Sequence, residues 1–187
     1  LPNLLQSLAD SQATGDLALF DASQARVAVM RFAKGLFAGC AAGKLKGEAA
    51  AYAVFERPFP GTFVFRSSAA SPGDATAGAS EVVPLLLEGV RRHDEFRAAL
   101  ALVPDGMAFE PAGPKWTLTE AEEDAKFAEA VWTRAATGRT AEACEAEIEA
   151  DPYRVRTLYA HWLEEGALRP KASGGAAPAG APAAKVS

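Results

Sequence analysis

The sequence predicts a mixed α/β chain of the α+β kind: a mostly antiparallel sheet with helices packed on it, followed by a small helical, winged-helix-like subdomain. Three observations predict it. Apolar residues alternate with a period of two between Asp16 and Cys40, and polar turns interrupt the alternation, as hairpin-linked strands require. Helical spacing flanks that region on both sides. After Trp116 the composition turns acidic, and three segments with helix-start and helix-stop residues follow one another.

Taken in order, Leu4, Leu5 and Leu8 have helical spacing, and Ala13, Thr14 and Gly15 stop that helix. From Asp16, Leu17 and Leu19 alternate with Ala18 and Phe20, and the DASQ segment supplies a polar turn. Arg26 to Phe32 forms the next strand, with Val27 and Val29 on one face and Met30 and Phe32 on the other. Ala33, Lys34 and Gly35 turn the chain into a third strand, Leu36 to Cys40, completing an antiparallel meander. Gly43 to Gly47 reads as a loop, and Glu48 to Phe55 as a small-residue helix ended by Pro58 and Pro60. Thr62 to Phe65 has strong strand propensity, and Ser67 to Ser80 reads as a mobile loop. Ser80 is placed to cap a helix running from Glu81 to about Leu100.

Pro104 to Pro114 reads as a linker or edge segment. Beyond it, Thr119 and Glu122 form a capping box for a helix that ends at Gly138, Thr140 caps a short second helix, and Asp151 with Pro152 opens a third that stops at Gly166. Ala167 to Arg169 adds a terminal strand, so three helices and a strand give the skeleton of a winged helix. The expected division is an α/β domain over 1–103, a linker over 104–118, the helical subdomain over 119–170 and a disordered tail over 171–187. That tail has no periodic apolar face with which to offset the entropy of ordering.

The net charge of −5 argues against a chain whose main task is to neutralise phosphates, so nucleic acid is not the expected partner. No run of about 18 apolar residues is present to span a bilayer, and the N-terminus lacks the basic segment and apolar core of a signal peptide. The expectation is a cytoplasmic protein with no membrane insertion. A first residue of Leu rather than Met points to a piece cut from a longer protein. Cys40 and Cys144 stand apart from each other and from both histidines, so the pattern calls for no disulfide, no metal site and no cofactor, and both thiols are expected to be buried.

Four segments, in order, carry a resemblance: LPNLLQSLADSQATGDLAL, AVMRFAKGLFAGCAAGKLKGEAAAYAVF, PGTFVF and LLLEGVRRHDEF, which together cover about 1–96. In this the chain resembles the PATAN (PatA N-terminal-like) domains of bacteria. The resemblance implies a small α/β domain of bacterial signalling proteins that mediates protein contacts in motility and developmental control, with a helical region trailing it. It also implies a further strand ahead of the first helix, which here would precede Leu1.

Several constellations look chemical and fail on spacing. Gly39, Gly43 and Lys44 suggest a phosphate loop, but only three residues separate the glycines and Leu45 follows the lysine where Ser or Thr is needed. His93 and Asp94 are neighbours on a helix and point about 100° apart, so neither can orient the other. His93 instead falls on a packing stripe with Val82, Leu86, Gly89, Phe96 and Leu100. Glu88, Asp94 and Glu95 lie three or four residues from Arg91 and Arg92, where ion pairing is expected. No catalytic residue is therefore expected.

The residues assigned to an interaction surface are Arg91, Arg92 and Glu95, with Arg154 and Arg156 on the last helix. On that helix Val155, Leu158, Tyr159, Trp162 and Leu163 form the core side, leaving Arg154, Arg156, Thr157, His161 and Glu164 outward. From Thr119 to Gly166 twelve acidic residues face five basic ones, which repels a duplex. The expected function is a non-catalytic scaffold or adaptor that binds other proteins, with a homodimer left open. The alternatives are a transcription regulator that uses its C-terminal helices on DNA and a small-molecule sensor with a pocket under the Ser67–Ser80 loop.

Overall fold

The computed structural model describes residues 1–68, 78–113, 122–148 and 150–171. The Thr119–Glu122 capping box, most of the Ser67–Ser80 loop and the tail beyond Lys171 lie outside the described residues.

Helix α1 (Pro2–Asp10) has proline in its first turn, where the missing N–H costs nothing, and buries Leu5 and Leu8. Strands β1 (Gly15–Asp21), β2 (Arg26–Ala33) and β3 (Leu36–Ala42) form the meander. The first turn is held by the Asp21 carboxylate, which accepts from the Ser23 and Ala25 amides at 2.8 and 3.0 Å. In the second, Lys34 and Gly35 have φ of 51° and 79°, the left-handed pair that matches strand twist in a two-residue hairpin.

The stretch expected as a loop over Gly43–Gly47 contains a two-residue strand, β4 (Leu45–Lys46), paired with β3 through a hairpin turned at Gly43. The positive φ of Gly43, 56°, makes that tight return possible. Helix α2 (Gly47–Glu56) and β5 (Gly61–Ser67) follow. The sheet order is β4-β3-β2-β1-β5, antiparallel throughout, with Leu17 level with Met30 on one side and Phe65 on the other.

One face of this sheet carries Leu17, Leu19, Ala28, Met30, Phe32, Phe37 and Cys40, all buried, and packs against α1, α2 and the start of α3 (Val82–Leu102). The other face presents Asp16, Ala18, Val29, Arg31 and Val64, with Arg31 and Asp16 3.4 Å apart.

Two expectations about α3 are corrected. Ser80 does not cap it: the N-cap position is Glu81, without a side-chain cap, because the Ser80 backbone pairs with Phe37 and its hydroxyl donates to Glu48 at 3.2 Å. The buried stripe is Val82, Leu85, Gly89, Phe96 and Ala99, so Leu85 and Ala99 take the central places expected of Leu86 and Leu100.

A second core gathers the end of α3 (Ala99, Val103), β6 (Phe109–Pro111), α4 (Glu122–Ala135), α5 (Ala141–Ile148), α6 (Pro152–Glu164) and β7 (Leu168–Pro170). Trp132 and Trp162 meet edge to face at 5.0 Å inside it. The terminal strand β7 pairs with β6, which lies ahead of the three helices, so the two-stranded ribbon brackets them. Thr140 accepts from the Ala143 amide at 3.3 Å, and Asp151 from the Tyr153 amide at 3.0 Å, each capping its helix. Cys40 and Cys144 are both buried. Among the described residues no helix is long and apolar enough to cross a membrane.

Candidate functional site

Of the residues assigned to an interaction surface, Arg92 and Arg156 lie in a seam where α3 and α2 meet the N-terminal half of α6, while Arg91, Glu95 and Arg154 stand exposed beside it. Arg92 is 19% exposed; it donates to Glu88 at 2.7 Å and to Asp151 at 2.6 Å. Its guanidinium lies 4.3 Å from the ring centre of Tyr52 and 5.0 Å from that of Tyr153. Arg91, on the outer rim, grips Glu88 at 2.7 Å and Glu95 at 2.6 Å, and Glu95 accepts from the Tyr153 hydroxyl. Arg154 pairs with Asp124 at 2.7 Å and lies over the Phe127 ring.

Arg156 corrects the outward placement expected from α6, since its side chain is 0% exposed. It donates to Glu145 at 2.9 Å, to Asp105 and to the Val103 carbonyl at the end of α3. A helix wedged between a core and a neighbouring helix has little free face, and Arg156 lies on the side turned to α3. Arg57 adds a second guanidinium to the same carboxylates, 3.3 Å from Asp105 and 3.3 Å from Glu145.

The charges set the acid strengths along the seam. Hydrogen bonds from Arg91 and then Arg92 hold the Glu88 carboxyl down at about 2. The Tyr153 hydroxyl, followed by Arg91, lowers Glu95. Burial acts to raise Asp105, but Arg57 and Arg156 outweigh it and leave that carboxyl lowered. At Glu145 burial wins over the same two arginines and the carboxyl is raised.

The positions that resembled chemistry are scattered or inert. Gly39 lies within β3 and Gly43 in the β3–β4 turn. His93 is half-buried with its Nδ1 lacking a hydrogen-bond partner. Burial pushes the Cys40 thiol up to about 12 and raises Cys144, so neither is a thiolate at neutral pH.

No family model, curated protein or solved structure matches this chain.

The surface that sequence reasoning missed is apolar. A groove of about 390 Å³ opens between α1, α2, α3 and β5, lined among others by Leu4, Phe55, Phe59, Phe63, Val90 and His93. Of its lining Phe63 is 55% exposed, and Leu1 and Val90 are also exposed; elsewhere on α3, Leu87 is 69% exposed and Val83 is exposed too. Val83, Leu87 and Val90 repeat at helical spacing on α3, away from its buried stripe. The strand at the groove's rim, β5, is the sheet's last and is exposed along most of its length. Both signals were available in the sequence: a second apolar stripe on α3, and Phe63-Val64-Phe65 without polar alternation.

Proposed function

We propose that this chain is a non-catalytic protein-binding module, a scaffold or adaptor in bacterial signalling, polarity or motility control, acting in the cytoplasm. The observation that carries this reading is the α1–α2–α3–β5 groove, whose lining includes the exposed apolar side chains of Leu1, Phe63 and Val90. Large apolar side chains exposed together beside the last strand of a sheet are costly to leave in water, and protein partners cover such surfaces. The resemblance of the first half to PATAN domains supports the same assignment. Arg92 and Arg156, held in the seam, fix the frame that presents the groove, and Arg91, Glu95 and Arg154 remain exposed beside that seam.

The test is in-cell crosslinking of the full-length protein with wild-type, Val90→Glu and Arg154→Glu chains, followed by calorimetry on the purified partner. Burying one valine is worth about 2 kcal/mol, so Val90→Glu weakens that partner's binding at least tenfold, whereas Arg154→Glu leaves it within about threefold. Equal binding by all three chains removes the proposal. Against DNA, α6 has its arginines committed to Asp124, Glu145 and Asp105. A gel shift at low and moderate salt that shows specific binding would favour the regulator reading instead.

A further inference from the structure

At the centre of the seam lies a carboxyl group that nothing above uses. Glu56, the last residue of α2, is 2% exposed, and among the described residues neither of its oxygens has a well-formed hydrogen bond, although the Tyr153 amide and the Asp151 carboxyl stand close enough to act on it. A buried polar group left in that state is expensive, and an ionised one far more so. The charged and titratable groups around it come from each packed element. Arg92 on α3 approaches to 3.9 Å, with Glu88 on its far side. Asp151, itself buried at the N-cap of α6, takes the Arg92 guanidinium at 2.6 Å. Tyr52, on α2, stacks beneath that guanidinium, and Tyr153 of α6 lies over it. Arg57, next in sequence, is turned away to Asp105 and Glu145. Strand β3, along the other side of α2, has no ionisable residue except the buried Cys40, and Lys46 of β4 stands at the opposite end of the helix.

One arginine therefore faces three carboxyls: Glu88 takes its Nε–H and Asp151 takes an N–H of Nη1, the nitrogen nearest Glu56. Adding a third negative charge in a site this dry is opposed by the Coulomb term and by desolvation together. Burial first, and then the Asp151 carboxylate, push Glu56 up to about 8, against the pull of Arg92 and the Tyr153 amide.

We propose that Glu56 is a proton-operated latch: while it holds its proton, α2, α3 and α6 stay closed on one another, and when the proton leaves, the first turn of α6 lifts from α2 and α3. Opening uncovers Arg92 and frees Arg91, Glu95 and Tyr153 from their contacts across the seam. The device is independent of what binds the apolar groove. Its pH window follows from linkage. A carboxyl raised from 4.5 to about 8 favours the closed form fully below pH 4.5, and that advantage fades as the pH rises, levelling off above about 8.

The test uses the whole chain. Carboxyl ¹³C NMR of Glu56 gives a titration midpoint above 7 if the latch exists; a midpoint below 5.5 overturns it. Hydrogen exchange, corrected for its intrinsic pH dependence, then reads the opening. Protection of the Val155 and Arg156 amides falls about tenfold or more between pH 6 and pH 9 in the wild type and changes less than about threefold in Glu56→Gln, a neutral near-isostere. Parallel profiles in the two chains overturn the proposal. If Glu56→Gln fails to fold, the midpoint measured on the wild type still decides.

Discussion

At the scale of single residues, burial rather than charge separates the arginines of α6. Arg156 has no exposed side-chain surface and satisfies Glu145, Asp105 and the Val103 carbonyl, so truncation leaves the carbonyl without its donor and the two carboxylates with Arg57 alone. Arg156→Ala is expected to cost about 3–5 kcal/mol in urea unfolding. Arg154, exposed and paired only at the surface, should cost under about 1 kcal/mol when changed to Ala. Equal losses would show that the buried network carries no special weight. The sequence offered no means of ranking the two, since both stand on the polar-looking side of one helix. Val103 and Asp105 stand 53 and 51 residues from Arg156 and Glu145 stands 11 away, and only the fold brings them together.

At the scale of elements, the turns were legible because their chemistry is local. Lys34-Gly35 announces a hairpin by composition alone, whereas the cap at Ser80 was misread because Phe37 and Glu48, remote in sequence, recruit that residue. The same distinction between local and tertiary constraint predicts how glycines respond. At Gly43 an added Cβ meets nothing within 4 Å, so Gly43→Ala costs only the left-handed conformation, about 1–2 kcal/mol. At Gly35, with φ of 79°, an added Cβ would lie 2.5 Å from the Ala9 carbonyl oxygen, so the α1 end must also move. Gly35→Ala is therefore expected to lower the thermal midpoint by clearly more than Gly43→Ala. Calorimetry on the two variants decides, and an inverted order would mean that α1 does not press on the β2–β3 turn. Gly89 belongs to the tertiary class as well, since a Cβ there would come within 2.7 Å of the Phe55 ring. Overpacking of that kind costs about 1–3 kcal/mol.

At the scale of the whole molecule, the α+β class and the composition shift were readable, but the way the two cores are joined was not. Helical periodicity showed α3 as one amphipathic stripe. It could not show that Val82 and Leu85 pack in the first core while Ala99 and Val103 pack in the second. Phe96 stands between these groups, 1% exposed, with the guanidiniums of Arg57 and Arg156 at 5.3 and 5.7 Å from its ring centre. It is thus the buried apolar residue on α3 that lies between the two groups, against the two cations that tie α2 and α6 to this stretch. Phe96→Ala removes it and leaves two cations facing a void, at a cost of about 3–5 kcal/mol. The tryptophans, Trp116, Trp132 and Trp162, all follow α3, so tryptophan fluorescence reports the second half alone while circular dichroism reports both. In the wild type the two signals should fall together in urea, as α3 and the seam impose one transition. In Phe96→Ala the fluorescence midpoint should separate from the dichroism midpoint, because the helical half loses its support before the sheet opens. Coincident midpoints in the variant would assign the coupling to the Arg92–Asp151 and Arg156–Asp105 pairs instead of to Phe96.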